Sequence, residues 1–455
     1  MEKLPLELLQ QVLQYLPRSD LPSVRLLTRT LAAAAEPLLF HTIPLWIELQ
    51  SVKALTGISE HPRLSRYVKE IVFSPLRFIE HEDRSLYQAE VRNALEYESV
   101  SLSSHMLYLE HYLSSQKLHL EQHMAAYDSF RAGQSYLAAN SSDVKFLSHA
   151  FGKLPHFKHL VVDYFSEIAV TRLYKIFGGP VFKPYCVEYS PVQPYFVECS
   201  GEYGLPVLLK ALASSGVGIS TFRIGPSGAP DSTWSDPDNR FRSPRPFPVL
   251  AAEETISHAL YKTFRRPNKN AYSETLRVLR VLEVSETRFK ELDQDIIDWI
   301  IDGIGTIVSW ASHIESIAVP QFGVYGFDDS ETPLMSNLFQ TGHLKKLKKL
   351  KLESFNTTLS YLTLFFRRYG EQLEEIDFEG VNISDAEWST ALYHLRAIEF
   401  PNLVTFDVDL VDVYDYVTGV TDIIPIEDYS GPHSYRIMPS TQENDDRWTS
   451  KPRDL

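Results

Sequence analysis

Two histidines, His119 and His123, stand four residues apart, with His105 and His111 close by. Side chains at i and i+4 share one face of a helix, so two imidazoles so placed could meet the same zinc ion. A leucine follows His119, where the metalloprotease motif has its glutamate. Histidines solvated on a helix are the plainer reading, and no metal or cofactor is assigned. Cys186 and Cys199 have no neighbouring cysteine pair and read as two structural thiols in a reducing compartment. No phosphate-cradling glycine loop and no nucleophile elbow is present. No catalytic residue is expected, and the chain reads as a non-enzyme.

The charged residues offer chemistry of another kind. Pairs of lysines fall between leucines from Leu344 to Lys351. Such a run suits nucleic acid or nuclear import, or else a strand whose lysines are solvated between core leucines. The formal net charge of −15 disfavours a polyanion, so no nucleic-acid partner is expected. Further on, Glu375, Asp377 and Glu379, then Asp407 and Asp409, repeat at every second position. Alternate residues of a strand share a face. These five acids are therefore candidate substrate-binding residues on an open strand face, suited to a basic segment of a protein. Stacked in order, the strands would set Lys349 beside Glu375 and Lys351 beside Asp377.

The elements that position them follow from a recurrent apolar triad at first, fourth and sixth places. It occurs as Phe157-Leu160-Val162, Ile219-Phe222-Ile224, Leu279-Leu282-Val284, Ile314-Ile317-Val319, Leu347-Leu350-Leu352, Leu373-Ile376-Phe378 and Leu403-Phe406-Val408, and Val68-Ile71-Phe73 fits as well. This spacing is the strand signature of a leucine-rich repeat. Helical patterns fall between the later triads, at residues 292–310, 359–369 and 386–398. The expected fold class is α/β, an irregular leucine-rich-repeat-like solenoid with parallel strands on its concave face and helices outside. The long intervals before residue 270 call for insertions.

Residues 4–16, LPLELLQQVLQYL, place leucine and valine at three- and four-residue spacing, with Pro5 suited to a first helical turn and Pro17 to a stop. Ser19-Asp20-Leu21-Pro22 then starts a second helix, and an alanine run leads to Pro37-Leu38-Leu39-Phe40. Three short helices in about 40 residues cannot bury so many leucines alone. This string resembles an F-box, and more narrowly the F-box proteins of filamentous fungi. The resemblance covers about a tenth of the chain. It implies docking on the Skp-type adaptor of a cullin–RING ubiquitin ligase, with Leu4, Pro5, Leu8, Val12, Leu13, Leu16 and Leu21 on the adaptor-binding surface. Thr28 departs from the small residue or cysteine that the family often has there.

The expected organisation is an adaptor-docking module at 1–45, a linker strand and helical segment at 46–150, and a substrate-binding body at 151–430. The body would carry a loop insertion at 225–248, rich in Pro, Gly, Ser and Asp, and a flexible tail would follow at 431–455. The apolar content is 44% and the charged content 23%, as in soluble globular proteins. The N-terminus lacks the layout of a signal peptide, and no run approaches the roughly 18 apolar residues of a membrane span. The expected location is cytoplasmic, nuclear or both, away from membranes. The reading is a substrate-recognition subunit of a Skp–cullin–F-box ligase. The alternative is a scaffold or interaction protein outside any ligase, whose N-terminal helices only cap the repeats.

Overall fold

A computed structural model describes residues 4–16, 20–74, 76–78, 125, 128–163, 197–199, 201–225, 269–284, 303–319, 344–353, 356–379, 381–383, 385–386, 388–410 and 433–437. The chain divides into two compact units, residues 1–219 with 226–259, and residues 220–225 with 260–455. His105, His111, His119, His123, Cys186 and nearly all of the 225–248 insertion lie outside the described residues. Much of the helical segment expected within 46–150 does too, although residues 128–138 are helical.

The first unit begins with helices α1 (Leu6–Gln14), α2 (Leu21–Arg25) and α3 (Arg29–His41). Pro5 precedes α1 with ψ of 149°, and Glu7 sits in the first turn, where a negative charge meets the positive helix end. Thr28 has a local reason to stand where it does. Its Oγ1 accepts the Leu31 N–H at 3.2 Å and caps α3. Leu9, Leu13, Leu21, Ala34 and Ala35 form the core of these three helices. Strand β1 (Thr42–Leu45) follows directly, then α4 (Leu49–Glu60) and β2 (Glu70–Phe73). The buried carboxylate of Glu48 caps α4 by accepting the N–H groups of Gln50 at 2.7 Å and Ser51 at 3.0 Å.

Strand β3 (Leu76–Phe78) and helix α5 (Ser142–Gly152) come next, followed by β4 (His159–Val162). Strands β1, β2 and β4 pair in parallel, with Leu45, Phe73 and Val162 in register. In β2 and β4 three consecutive residues are buried, so both faces are covered. Pro44, which has no N–H to give the ladder, lies in β1. Strand β5 (Val197–Cys199) pairs antiparallel with β3, and helix α6 (Gly201–Ser215) packs on α5. A Cβ at Gly133 would stand 3.1 Å from Leu49 Cβ, so that glycine lets helix 128–138 close on α4.

The second unit holds β6 (Thr221–Ile224), α7 (Lys269–Leu276), β7 (Val281–Val284), the helical residues 303–310, β8 (Ser316–Val319) and β9 (Lys349–Glu353). It continues through β10 (Asn356–Thr357), α8 (Leu359–Tyr369), β11 (Glu375–Glu379), β12 (Asn382–Ile383), α9 (Trp388–Leu395), β13 (Thr405–Leu410) and β14 (His433–Ile437). Strands β6, β7, β8, β9, β11 and β13 are parallel neighbours in that order. Of the apolar triads of these strands, only Leu403 is not fully buried. Helix α8 buries Leu362, Phe365, Phe366 and Tyr369. The Phe366 ring meets Phe378 at 6.1 Å and Phe400 at 5.4 Å.

One main-chain device recurs where β7, β8, β9, β11 and β13 begin. A carbonyl has two lone pairs and can take two N–H donors. The Ser220 carbonyl accepts from Arg280 and Val281, that of Arg280 from Glu315 and Ser316, and that of Glu315 from Lys348 and Lys349. The Lys348 carbonyl then accepts from Glu374 and Glu375 at 2.7 and 3.0 Å, and that of Glu374 from Val404 and Thr405 at 2.7 and 3.2 Å. Side chains reinforce the same step, with Gln372 donating to the Leu344 carbonyl and Asn402 to that of Glu371. Strand β14 departs from this pattern. It lies within the stretch expected as a tail, yet five residues of it pair antiparallel with β13.

Candidate docking surfaces

The N-terminal helices present an apolar surface made by helical spacing. Leu8 is 45% exposed and Val12 46%, one turn apart on α1, and Leu4, Pro5 and Leu16 are also exposed around it. Two of the residues expected on this surface are elsewhere. Leu13 and Leu21 are buried in the core of the three helices, because so small a module must spend part of its leucines on itself. Several exposed apolar residues were not among those expected on the adaptor-binding surface: Leu6, Tyr15, Leu26 and Leu27. Tyr15 is 91% and Leu26 86% exposed. Their signal was present in the spacing, since Leu26 and Leu27 follow α2 at a turn where no helix face can cover both.

A buried carboxylate fixes this module from behind. Glu36 of α3 is 2% exposed, and its Oε1 lies 3.0 Å from Arg63 Nη2 and 3.4 Å from Arg25 Nε. Arg25 belongs to α2 and also stands 5.6 Å over the Phe40 ring. Arg63 belongs to the turn after α4. The Arg63 guanidinium donates a charge-assisted hydrogen bond to the buried carboxylate, and that of Arg25 adds an ion pair to the same oxygen. Sequence reading passed over Glu36, which looks like a surface residue at the end of an alanine run.

The second candidate surface is the open face of the parallel strands in the second unit. Burial alternates along β7, β8 and β11, so one face carries the triads and the other is half-exposed. The register lines Arg223, Glu283, Ala318, Lys351, Asp377 and Asp407 in one row across six strands. Opposite charges meet along it. Arg223 lies 2.7 Å from Glu283 and Lys351 lies 3.3 Å from Asp377. One row earlier, Lys349 reaches Glu375 at 2.7 Å, the neighbour that strand order assigns it. Lys348 Nζ stands 2.6 Å from Glu374, and that hydrogen bond, with the carboxylate's charge, holds its ammonium above the usual lysine range.

Of the five candidate acids, Glu375 and Asp377 are thus tied to lysines, and Glu379 is exposed within 3.8 Å of Lys351. Asp407 and Asp409 follow in register on β13. Glu353, Glu379 and Asp409 are register neighbours at the strand ends. Reading the sequence missed a strand here: β14 pairs with β13, with Arg436 and Asp407 in register. Among the described residues no cluster of three His, Cys, Asp or Glu side chains could hold a metal, and no helix is long and apolar enough to cross a membrane.

The two surfaces have different warrants. Residues 1–41 match the F-box domain family model. F-box domains bind Skp-type adaptors of Skp–cullin–F-box ubiquitin ligases, so the chain carries an adaptor-binding module at its N-terminus. No curated protein matches the chain.

Proposed function

We propose that the chain is a substrate-recognition subunit of a Skp–cullin–F-box ubiquitin ligase, of the filamentous-fungal type. The N-terminal module docks the adaptor, and through it the cullin. A leucine-rich-repeat-like body holds a protein substrate. The chain performs no chemistry of its own, binds neither nucleic acid nor membrane, and works in the cytoplasm or nucleus. The observation that carries the reading is the apolar stripe of Leu4, Leu8, Val12 and Leu16, left exposed within a domain whose role is docking. Contiguous exposed apolar side chains mark interaction sites.

The repeat-like body is supported by the sequential order of its parallel strands and by the carbonyl that takes two N–H groups at each step. A parallel sheet with helices on both faces reads as continuous apolar strands. The second unit alternates instead, which leaves one face for a partner. The candidate substrate contacts are Glu375, Asp377, Glu379, Asp407 and Asp409, and a basic segment is the chemistry that fits them.

The test is capture of the Skp-type adaptor by the full chain. Replacing both Leu8 and Val12 by aspartate is expected to weaken capture about 30-fold or more, the scale of a hot-spot loss of about 2 kcal/mol. Both side chains are exposed, so the fold should persist by circular dichroism. Unchanged capture by a folded variant would leave these helices as a cap on the repeats, in a scaffold that serves no ligase.

A further inference from the structure

The lysines of the 344–351 run do not share one environment. Lys348 and Lys349 stand 2.6 and 2.7 Å from Glu374 and Glu375, and Lys351 stands 3.3 Å from Asp377. A carboxylate beside an ammonium favours the charged form, which has no lone pair to attack with. Lys346 faces a different neighbour. Its Nζ lies 2.8 Å from Nδ1 of His313, and both side chains are exposed. An ammonium carries three donors and no acceptor, so Nδ1 accepts, and the imidazole in this contact is neutral with its proton on Nε2.

The repeat brings the two together. His313 stands just before Ile314 and Lys346 just before Leu347, the first members of successive apolar triads. The same main-chain bond closes both turns, from the Ile314 N–H to the Ala311 carbonyl and from the Leu347 N–H to that of Leu344, each at 3.1 Å. Strands β8 and β9 then run in register, with Ser316 beside Lys349 and about 5 Å between the strands. In the next two turns Gln372 and Asn402 hold this place, and each donates to a main-chain carbonyl of the turn before. Lys346 donates instead to a base. A nucleophile and a neutral base within hydrogen-bond reach is the geometry that activates an amine.

We propose that Lys346 is an acyl-acceptor site, taking the acyl group of a small thioester with His313 as its base. Nδ1 takes a proton from the ammonium, and the freed lone pair attacks the thioester carbonyl. The C–N bond forms and the C–S bond breaks. Of the two protons that the nitrogen loses, one goes to the departing thiolate and the other leaves through the imidazole to water. The products are an Nζ-acyl lysine, a free thiol and a proton, and nothing is oxidised or reduced. Acylation removes one positive charge from the turn that leads into β9. The site goes beyond the receptor reading and stands without it.

The experiment incubates the full chain with acetyl-coenzyme A and reads the rate of acetylation at each lysine by peptide mass spectrometry. Lys345 is the internal reference, exposed in the same turn and with no base beside it among the described residues. Lys346 is expected to react about tenfold faster than Lys345 or more, where a positioned base inside an enzyme supplies about 100- to 10,000-fold. His313→Asn removes the base at an exposed position and leaves the fold intact by circular dichroism. It should bring Lys346 level with Lys345, while the rates at Lys345 and Lys348 stay as they were. Equal rates at Lys345 and Lys346 in the unaltered chain overturn the proposal. So does an excess at Lys346 that survives His313→Asn.

Discussion

The carboxylate of Glu36 and the guanidinium of Arg63 meet at 3.0 Å, the acid buried and the base 58% exposed. They join α3 of the docking module to the turn that leads into β2. Arg25 holds the same Oε1 from α2. The docking helices are therefore braced against the elements that follow them within the first unit.

The brace makes an ordering prediction. Arg63→Met leaves a buried charge with one partner and is expected to cost about 1–3 kcal/mol. Glu36→Met removes the buried charge itself, while both arginines keep access to water, and buried ion pairs replaced by apolar groups are often neutral. Glu36→Met should therefore cost less than Arg63→Met in urea denaturation. The reverse order would show that the pair attracts more than its burial costs.

The apolar triads of the second unit predict unequal losses where burial differs. Phe378 is fully buried and its ring meets Phe366, Trp388 and Phe406. Phe378→Ala should destabilise by about 3–5 kcal/mol. Leu403, first in its triad, is only partly buried, and Leu403→Ala should cost about 2 kcal/mol or less. Chemical denaturation of the two variants gives the comparison, and equal losses would contradict that difference.

The charged row predicts the opposite balance between stability and binding. Lys351 and Asp377 are 41% and 45% exposed, so either one changed to alanine should cost under about 1 kcal/mol. Reversing Asp377, Asp407 and Asp409 to lysine should leave the fold intact by circular dichroism and abolish capture of a basic substrate segment. A folded variant that still captures its substrate would place recognition elsewhere.

Much of the strand layout was legible because burial acts on one face. The triad Leu373-Ile376-Phe378 marks a strand for the same reason that Glu375 and Asp377 can alternate with it. The neighbours Lys349 and Glu375 followed from stacking order alone. What escaped was whatever depends on contacts between distant stretches. Leu13 and Leu8 look alike in the sequence, and only the packing of α3 decides that one is core and the other surface. Glu36 reads as solvated until Arg63, 27 residues away, is seen beside it. Strand β14 sits in a polar stretch whose pairing is made by main chain, and main chain leaves little trace in residue type.

The carbonyl that starts β7, β8, β9, β11 and β13 has a consequence for how such a chain can change. It fixes the separation of neighbouring strands and is indifferent to the length of chain between them. Residue 221 to residue 281 is a step of 60 residues, and residue 349 to residue 375 a step of 26, yet both close with the same pair of N–H groups on one oxygen. Length can thus be gained or lost between strands without disturbing the order of the stack. The order of the strands is thereby decoupled from the spacing of their sequences.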